Sequence, residues 1–197
     1  MMETGLFFGS FNPVHIGHMA IANYITEYSS LSEIWFVVSP HNPLKPKNTL
    51  LSDRDRLYMT ELAIGDDPRF RVSDVEFTLP RPSFTIDTMA YLAEKNPSRH
   101  FTLIMGEDNL TTLHKWKNAE VLVKNYPIIV YPRLKPGRRT AGRLLEILAM
   151  ADITELNAPV MEISGTFIRQ AIKEGKDVSW FVPAPAWKYI REMHFYE

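Results

Sequence analysis

Ten residues near the start of the chain, Gly9-Ser10-Phe11-Asn12-Pro13-Val14-His15-Ile16-Gly17-His18, constrain the fold more than any other feature. An apolar run, Gly5 to Phe8, stops at Gly9 and reads as a fully buried strand. From about Gly17 to Ser29, the residues Met19, Ile21, Ala22 and Ile25 recur at helical spacing. A strand that runs through a loop of small residues into a helix offers backbone N–H groups and a positive dipole end to an anion. Two histidines three residues apart add side-chain donors on one side of that helix start.

The same alternation continues along the chain. Ile34 to Val38 predicts a second strand, ended by Ser39-Pro40, and the proline- and lysine-bearing stretch Pro40 to Asn48 predicts a loop. Ser52-Asp53-Arg54-Asp55 has the pattern of a capping box opening a helix that carries Leu57, Leu62 and Ala63. Phe70 to Phe77 alternates like a strand until Pro80-Arg81-Pro82 breaks it. Helix is expected from about Thr85 to Glu94, strand at Phe101 to Met105, and a short helix near Asp108 to Leu113. Pro127 to Tyr131 is strand-like, and a basic loop runs from Arg133 to Arg143. Helices follow Ser164 and span about Ala184 to His194. The pattern predicts a doubly wound α/β fold, a parallel sheet with helices on both faces. Its ligands should lie at the carboxyl ends of the strands, near a switch in strand order. The 197 residues fit a single domain, 1–197, with a small helical portion from about residue 164.

Composition narrows the chemistry. With no cysteine, thiolate zinc sites, iron–sulfur clusters, disulfides and cysteine nucleophiles are excluded. A formal net charge of −1 advertises neither a nucleic-acid nor a membrane partner. No stretch approaches the roughly 18 unbroken apolar residues of a membrane span, and the N-terminus lacks a basic signal-peptide n-region. A cytoplasmic enzyme with small-molecule substrates is expected; nothing in the sequence addresses its oligomeric state. No group of carboxylates and histidines has the spacing of a dedicated metal site.

His15-Ile16-Gly17-His18 resembles the His-x-Gly-His signature of the nucleotidylyltransferase superfamily. Class I aminoacyl-tRNA synthetases share it, but this chain is too short and lacks a Lys-Met-Ser-Lys-Ser-like string. Near its C-terminal end stands Ile163-Ser164-Gly165-Thr166-Phe167-Ile168-Arg169, which resembles the Ile-Ser-x-Thr-x-x-Arg signature of small adenylyltransferases. Here Ser164 and Thr166 would cap a helix, making a second anion-binding N-terminus with Arg169 one turn further in. Within the superfamily the chain is most similar to the bacterial nicotinate mononucleotide adenylyltransferases, over nearly its full length. Ser39 to Lys45 resembles their lysine loop, Ser83 to Thr88 their Ser-Tyr/Phe-Thr-x-x-Thr element, and Gly106 to Leu110 with Trp116 their Gly-x-Asp…Trp segment. Position 12 is Asn, where Asp is also common, and is given no catalytic role.

The resemblance implies a Rossmann-like nucleotidylyltransferase fold and transfer of an adenylyl group from ATP to nicotinate mononucleotide. Alternatives are a related transferase with nicotinamide mononucleotide or phosphopantetheine as acceptor, and a non-catalytic nucleotide-binding module. It implies contacts from His15 and His18 to the ATP phosphates, with His18 the main transition-state donor. Lys45 would neutralise the reacting phosphates, and Arg169 the β- and γ-phosphates. Gly9, Ser10, Phe11, Gly106, Asp108, Arg133, Ser164 and Thr166 complete the ATP site. Lys45, Thr85 and Trp116 would hold the mononucleotide. Asp108 reads either as a ribose acceptor or as a helix N-cap, and Trp116 either as a cover for the pyridine ring or as a core residue. Of the basic run Arg133 to Arg143, only Arg133 stands beside a strand end. Magnesium is expected to arrive with ATP.

Overall fold

The computed structural model describes residues 1–40, 50–134 and 142–197. Among them, β1 (Met2–Gly9), β2 (Glu33–Val38), β3 (Phe70–Ser73), β4 (Arg99–Gly106), β5 (Ile128–Tyr131) and β6 (Ile153–Glu155) form one sheet in the order β3-β2-β1-β4-β5-β6. Every pairing is parallel, with Phe7 opposite both Phe36 and Ile104. The chain winds outward from β1 to β3, then crosses back to β4 and winds the other way. Parallel neighbours that diverge like this leave a crevice at their carboxyl ends, here between Gly9 of β1 and Gly106 of β4.

Strand side chains alternate between two apolar layers. Phe7, Phe36, Ile104 and Ile129 point to the layer built with α1 (Ile16–Tyr28), α2 (Asp53–Ile64), α8 (Gly165–Lys173) and α9 (Ala184–Glu192). Leu6, Val37, Leu103 and Ile128 point to the layer built with α4 (Thr85–Lys95), α6 (Ala119–Asn125) and α7 (Arg143–Leu148). Each fully buried side chain of this kind contributes about 1.5–3 kcal/mol, so both faces are fixed by burial and the strands read as unbroken apolar runs. Among the described residues no helix is long and apolar enough to cross a membrane.

Two expectations need correction. The stretch Phe70 to Phe77 is strand only as far as Ser73, and a short helix α3 follows at Val75–Thr78. β3 is an edge strand paired only through Ile34–Val37. Beyond that pairing the chain turns so that Glu76, 3% exposed, accepts from the Thr88 hydroxyl at 2.8 Å. The stretch from Asp108 to Leu113 divides into α5 (Glu107–Leu110) and a 3₁₀ turn at Leu113–Lys115. Helices α6 and α7 and strand β6 have no counterpart in the sequence reading.

Ser52 caps α2, its hydroxyl accepting from the Asp55 N–H at 3.1 Å, and in place of the reciprocal half of a capping box it donates to Asp55 Oδ2 at 2.5 Å. The helix it opens buries Arg56, Met59 and Thr60, with Leu57, Leu62 and Ala63 only partly covered. Arg56 is wholly buried. Its Nη1 donates to Ser10 O at 2.5 Å and Ser39 O at 2.8 Å, its Nη2 to Pro40 O at 2.9 Å and Asp53 Oδ1 at 2.6 Å, and its Nε to Leu51 O at 3.1 Å. One cation therefore gathers the segments that leave β1 and β2 onto α2. Arg56→Met keeps the length of the stem but leaves these carbonyls without a donor and Asp53 with Arg81 as its remaining cationic partner. We expect a loss of at least about 3 kcal/mol in unfolding free energy, read by denaturant titration. A loss below about 1 kcal/mol would show that the loops hold themselves.

Candidate active site

The first motif turns sharply as it leaves β1. Gly9 has no room for a side chain, since a Cβ there would lie 2.8 Å from Phe11 Cζ. Phe11 adopts φ +44°, a left-handed conformation costly for a residue with a Cβ. It is held there because its ring, 2% exposed, packs edge-on against Phe7 and His18 at 5.9 and 5.0 Å. Any contact of Phe11 with a nucleotide must come from its backbone. The Ser10 carbonyl is taken by Arg56.

The turn delivers His15 to the N-cap of α1 and His18 to its third position. The two rings stack with centroids 3.6 Å apart. Gly17 makes this possible, because a Cβ there would press on the His15 ring at 3.1 Å. The His15 N–H donates to His18 Nδ1 at 3.2 Å. With Nδ1 accepting, the neutral His18 ring carries its proton on Nε2, which makes Nε2 a donor. His15 is 5% exposed, and burial, aided by the positive charge of Arg133, lowers its pKa from 6.5 to about 4. Its ring is therefore neutral near pH 7.

Around this pair lies a small cleft whose walls include Gly17, Tyr131, Arg133, Met161 and Ile163. Arg133, just past β5, donates to the Tyr131 hydroxyl at 3.1 Å and to Met161 O at 3.3 Å, and its Nε lies 3.6 Å from Asp108 Oδ1. Asp108 does not cap α5: Gly106 stands at that N-cap with no side-chain bond. Gly106 is glycine because a Cβ there would collide with the Asp108 carboxylate and sit 3.1 Å from Arg133 Nε. Two of the buried polar atoms with no hydrogen-bond partner, His15 Nδ1 and Arg133 Nε, belong to residues that line this cleft.

The second motif meets the first across the cleft. Ser164 caps α8, accepting from the Phe167 N–H at 3.2 Å. Thr166 is not a cap; its hydroxyl accepts instead from Arg169 Nη2 at 3.3 Å. Arg169 Nη1 donates to Asn12 O at 2.6 Å, and Gly165 lets the helix approach, since a Cβ there would lie 2.7 Å from that same oxygen. Asn12 is thus no idle position: it is 6% exposed, and its Oδ1 accepts from Leu51 N and the Tyr196 hydroxyl at 3.3 and 2.7 Å.

Thr85 is the first residue of α4, which lies in the other apolar layer and whose N-cap is Phe84 with no side-chain bond. Trp116 is half-buried and packs against the α4/α6 layer. Lys117, which the sequence reading passed over, joins the two segments: its Nζ pairs with Asp87 at 2.8 Å and lies 4.7 Å from the Phe84 ring centroid. Lys45 lies outside the described residues. Arg56, Tyr131 and Tyr196 were also missed. Arg56 alone left a trace, a charged residue at i in a stripe continued by Met59 and Thr60 at i+3 and i+4. Among the described residues no group of three or more His, Cys, Asp or Glu could hold a metal ion.

Comparison with known proteins gives a consistent set of likenesses. A family model described as cytidylyltransferase-like matches residues 6–171. A protein of Flavobacterium johnsoniae named "Probable nicotinate-nucleotide adenylyltransferase" is 48% identical over 196 residues, covering 100% of both chains. One of the same name from Bacteroides thetaiotaomicron is 48% identical over 191 residues, covering 97% of this chain and 92% of that one. The fold matches the Plasmodium falciparum nicotinic acid mononucleotide adenylyltransferase complexed with NaAD, with TM-score 0.80 and 19% identity over 100% of this chain and 98% of that one.

The His15 environment gives a pH signature. Its folded pKa of about 4 lies below the unfolded value of 6.5, so between these limits the unfolded chain binds more protons. The stability it contributes is complete above about pH 6.5 and is lost as pH falls toward 4. Replacing His15 by Gln should flatten the stability–pH profile in that window by about 1–3 kcal/mol relative to wild type. Unfolding titrations at pH 4.5 and 7.5 measure it, and parallel profiles for the two proteins would contradict the assignment.

Proposed function

The chain belongs to the cytidylyltransferase-like family, and we propose that it transfers the adenylyl group of ATP to nicotinate mononucleotide, releasing pyrophosphate and forming the deamido form of NAD. One observation carries this reading. The starts of α1 and α8, far apart in sequence, converge on one loop through the Arg169–Asn12 bond, with Arg133 beside the histidine pair. Two helix N-termini and two guanidinium groups around neutral imidazoles suit a polyphosphate.

A phosphate oxygen of the mononucleotide attacks the α-phosphorus of ATP and forms the new O–P bond. The bond from that phosphorus to the α,β-bridging oxygen breaks, and pyrophosphate leaves with the electron pair. The attacking monoester has a second pKa of about 6 and is already mostly dianionic near pH 7. No general base is required. The protein must align two anions and stabilise charge on the bridging oxygen. Nε2–H of His18 supplies a donor without adding charge, while Arg133 and Arg169 supply the positive field. By the sequence resemblance, Lys45 is assigned the neutralisation of the reacting phosphates. Arg133 Nε, which makes no hydrogen bond within the protein, would donate to a phosphate oxygen. Asp108 accepts from a ribose hydroxyl, and its pairing with Arg133 sets the carboxylate's position. Magnesium would arrive with ATP and, bound to the triphosphate, would neutralise charge on the leaving group. The place of work is the cytoplasm.

His18→Ala should lower kcat by about 100- to 1,000-fold while changing ATP affinity little, because its donor matters most as charge develops on the leaving oxygen. Turnover by pyrophosphate release and affinity by calorimetry separate the two. A variant that keeps more than about a third of wild-type kcat would leave His18 without the role.

The acceptor should be the acid rather than the amide. The uncapped start of α4 presents free N–H groups and a positive dipole end, with Lys117 beside Phe84. A carboxylate accepts from all of these, whereas a carboxamide brings its own N–H donors against them. Leaving one buried donor unpaired costs about 1–3 kcal/mol, so kcat/KM should favour nicotinate over nicotinamide mononucleotide by about tenfold or more. Equal values would remove the acceptor assignment while leaving adenylyl transfer standing.

A further inference from the structure

The loop that carries the first motif is anchored at several points on its protein side. Arg56 holds Ser10 O, Arg169 holds Asn12 O, and the Tyr196 hydroxyl donates to Asn12 Oδ1 at 2.7 Å. That same oxygen accepts from Leu51 N at 3.3 Å. An amide oxygen has two lone pairs, and both are used here, so the Asn12 side chain is held in one orientation. Phe11, the residue between Ser10 and Asn12, is held at φ +44°, a conformation that persists only where its surroundings enforce it. Two residues beyond Pro13, His15 caps α1. The Tyr196 phenol is kept protonated by burial, so it is a permanent donor.

We propose that Tyr196 is a positioning residue for the transfer reaction: its hydroxyl, through Asn12 Oδ1, holds the loop Ser10–Val14 and with it the His15–His18 pair in the arrangement that meets the phosphates. Tyr196 touches no reacting atom. It acts at the far end of the chain on a loop that lies 184 residues earlier. This rests on the adenylyl-transfer reading, but the loop geometry can be tested without substrate.

A control stands in the same layer of side chains. Tyr189 packs against Phe195, which packs against Tyr196, and its hydroxyl donates to Asp55 Oδ1 at 2.9 Å on α2 instead of to the loop. Tyr196→Phe and Tyr189→Phe each remove one hydroxyl and keep the ring. A neutral hydrogen bond is worth about fivefold in an equilibrium. Tyr196→Phe should therefore lower kcat at least about threefold, leave KM for the mononucleotide unchanged, and speed amide hydrogen exchange from Ser10 to His15. Tyr189→Phe should leave kcat and that exchange as in wild type. In an Asn12→Ala background, adding Tyr196→Phe should change kcat no further, because the acceptor is already gone. The proposal fails if Tyr196→Phe lowers kcat less than threefold, if loop exchange is unchanged, or if the two effects multiply. Should wild type transfer no adenylyl group to either mononucleotide, the functional reading falls. The exchange measurement then decides the positioning by itself.

Discussion

The guanidinium of Arg56 is the contact on which the rest of the site depends. A parallel sheet fixes its strands by burial on both faces, but the loops at the carboxyl ends have no such support. Their backbone carbonyls must find donors, and here one buried cation donates to Ser10, Ser39, Pro40 and Leu51. Burial pulls the Arg56 pKa down from its ordinary value, and Asp53 resists that pull. The group stays charged because an arginine has several pH units to spare. A lysine could not hold carbonyls fanned around a planar fork in this way.

From that anchor the chemistry follows by geometry. With Ser10 fixed, Phe11 is forced into its left-handed turn, and Asn12 comes to rest between Arg169 and Tyr196. The histidine pair then stands at the start of α1 with Gly17 making room for the rings. The site accumulates positive potential without accumulating titratable charge, since His15 is neutral and the field comes from arginines and helix starts. Such a site can hold a polyanion and still let pyrophosphate leave, because neutral donors bind the ground state less tightly than cations would.

Much of this was legible in the sequence. The first motif announced a strand, an anion loop and a helix, and the alternation of apolar runs with helical spacing announced a doubly wound sheet, because burial on both faces leaves a plain signal. Gly9, Gly17, Gly106 and Gly165 could be noticed, but not what each makes room for: an aromatic ring, an imidazole, a carboxylate and a carbonyl. What was illegible depends on contacts distant in sequence. Strand β6, Ile-Thr-Glu, is too short and too exposed at the sheet edge to leave a pattern, and the helix at Val75–Thr78 exists because an edge strand ran out of partners. The tie between Tyr196 and Asn12, or between Lys117 and Asp87, leaves no local trace.

The central claim is that the α-phosphorus of ATP moves to the mononucleotide phosphate. Its fate can be followed directly by phosphorus NMR of a mixture of the protein, magnesium, ATP and nicotinate mononucleotide. The account predicts equal growth of free pyrophosphate and of a dinucleotide diphosphate signal, with the monoester resonance declining in step. Release of orthophosphate, or a spectrum in which the monoester resonance persists while ATP is consumed, would contradict it.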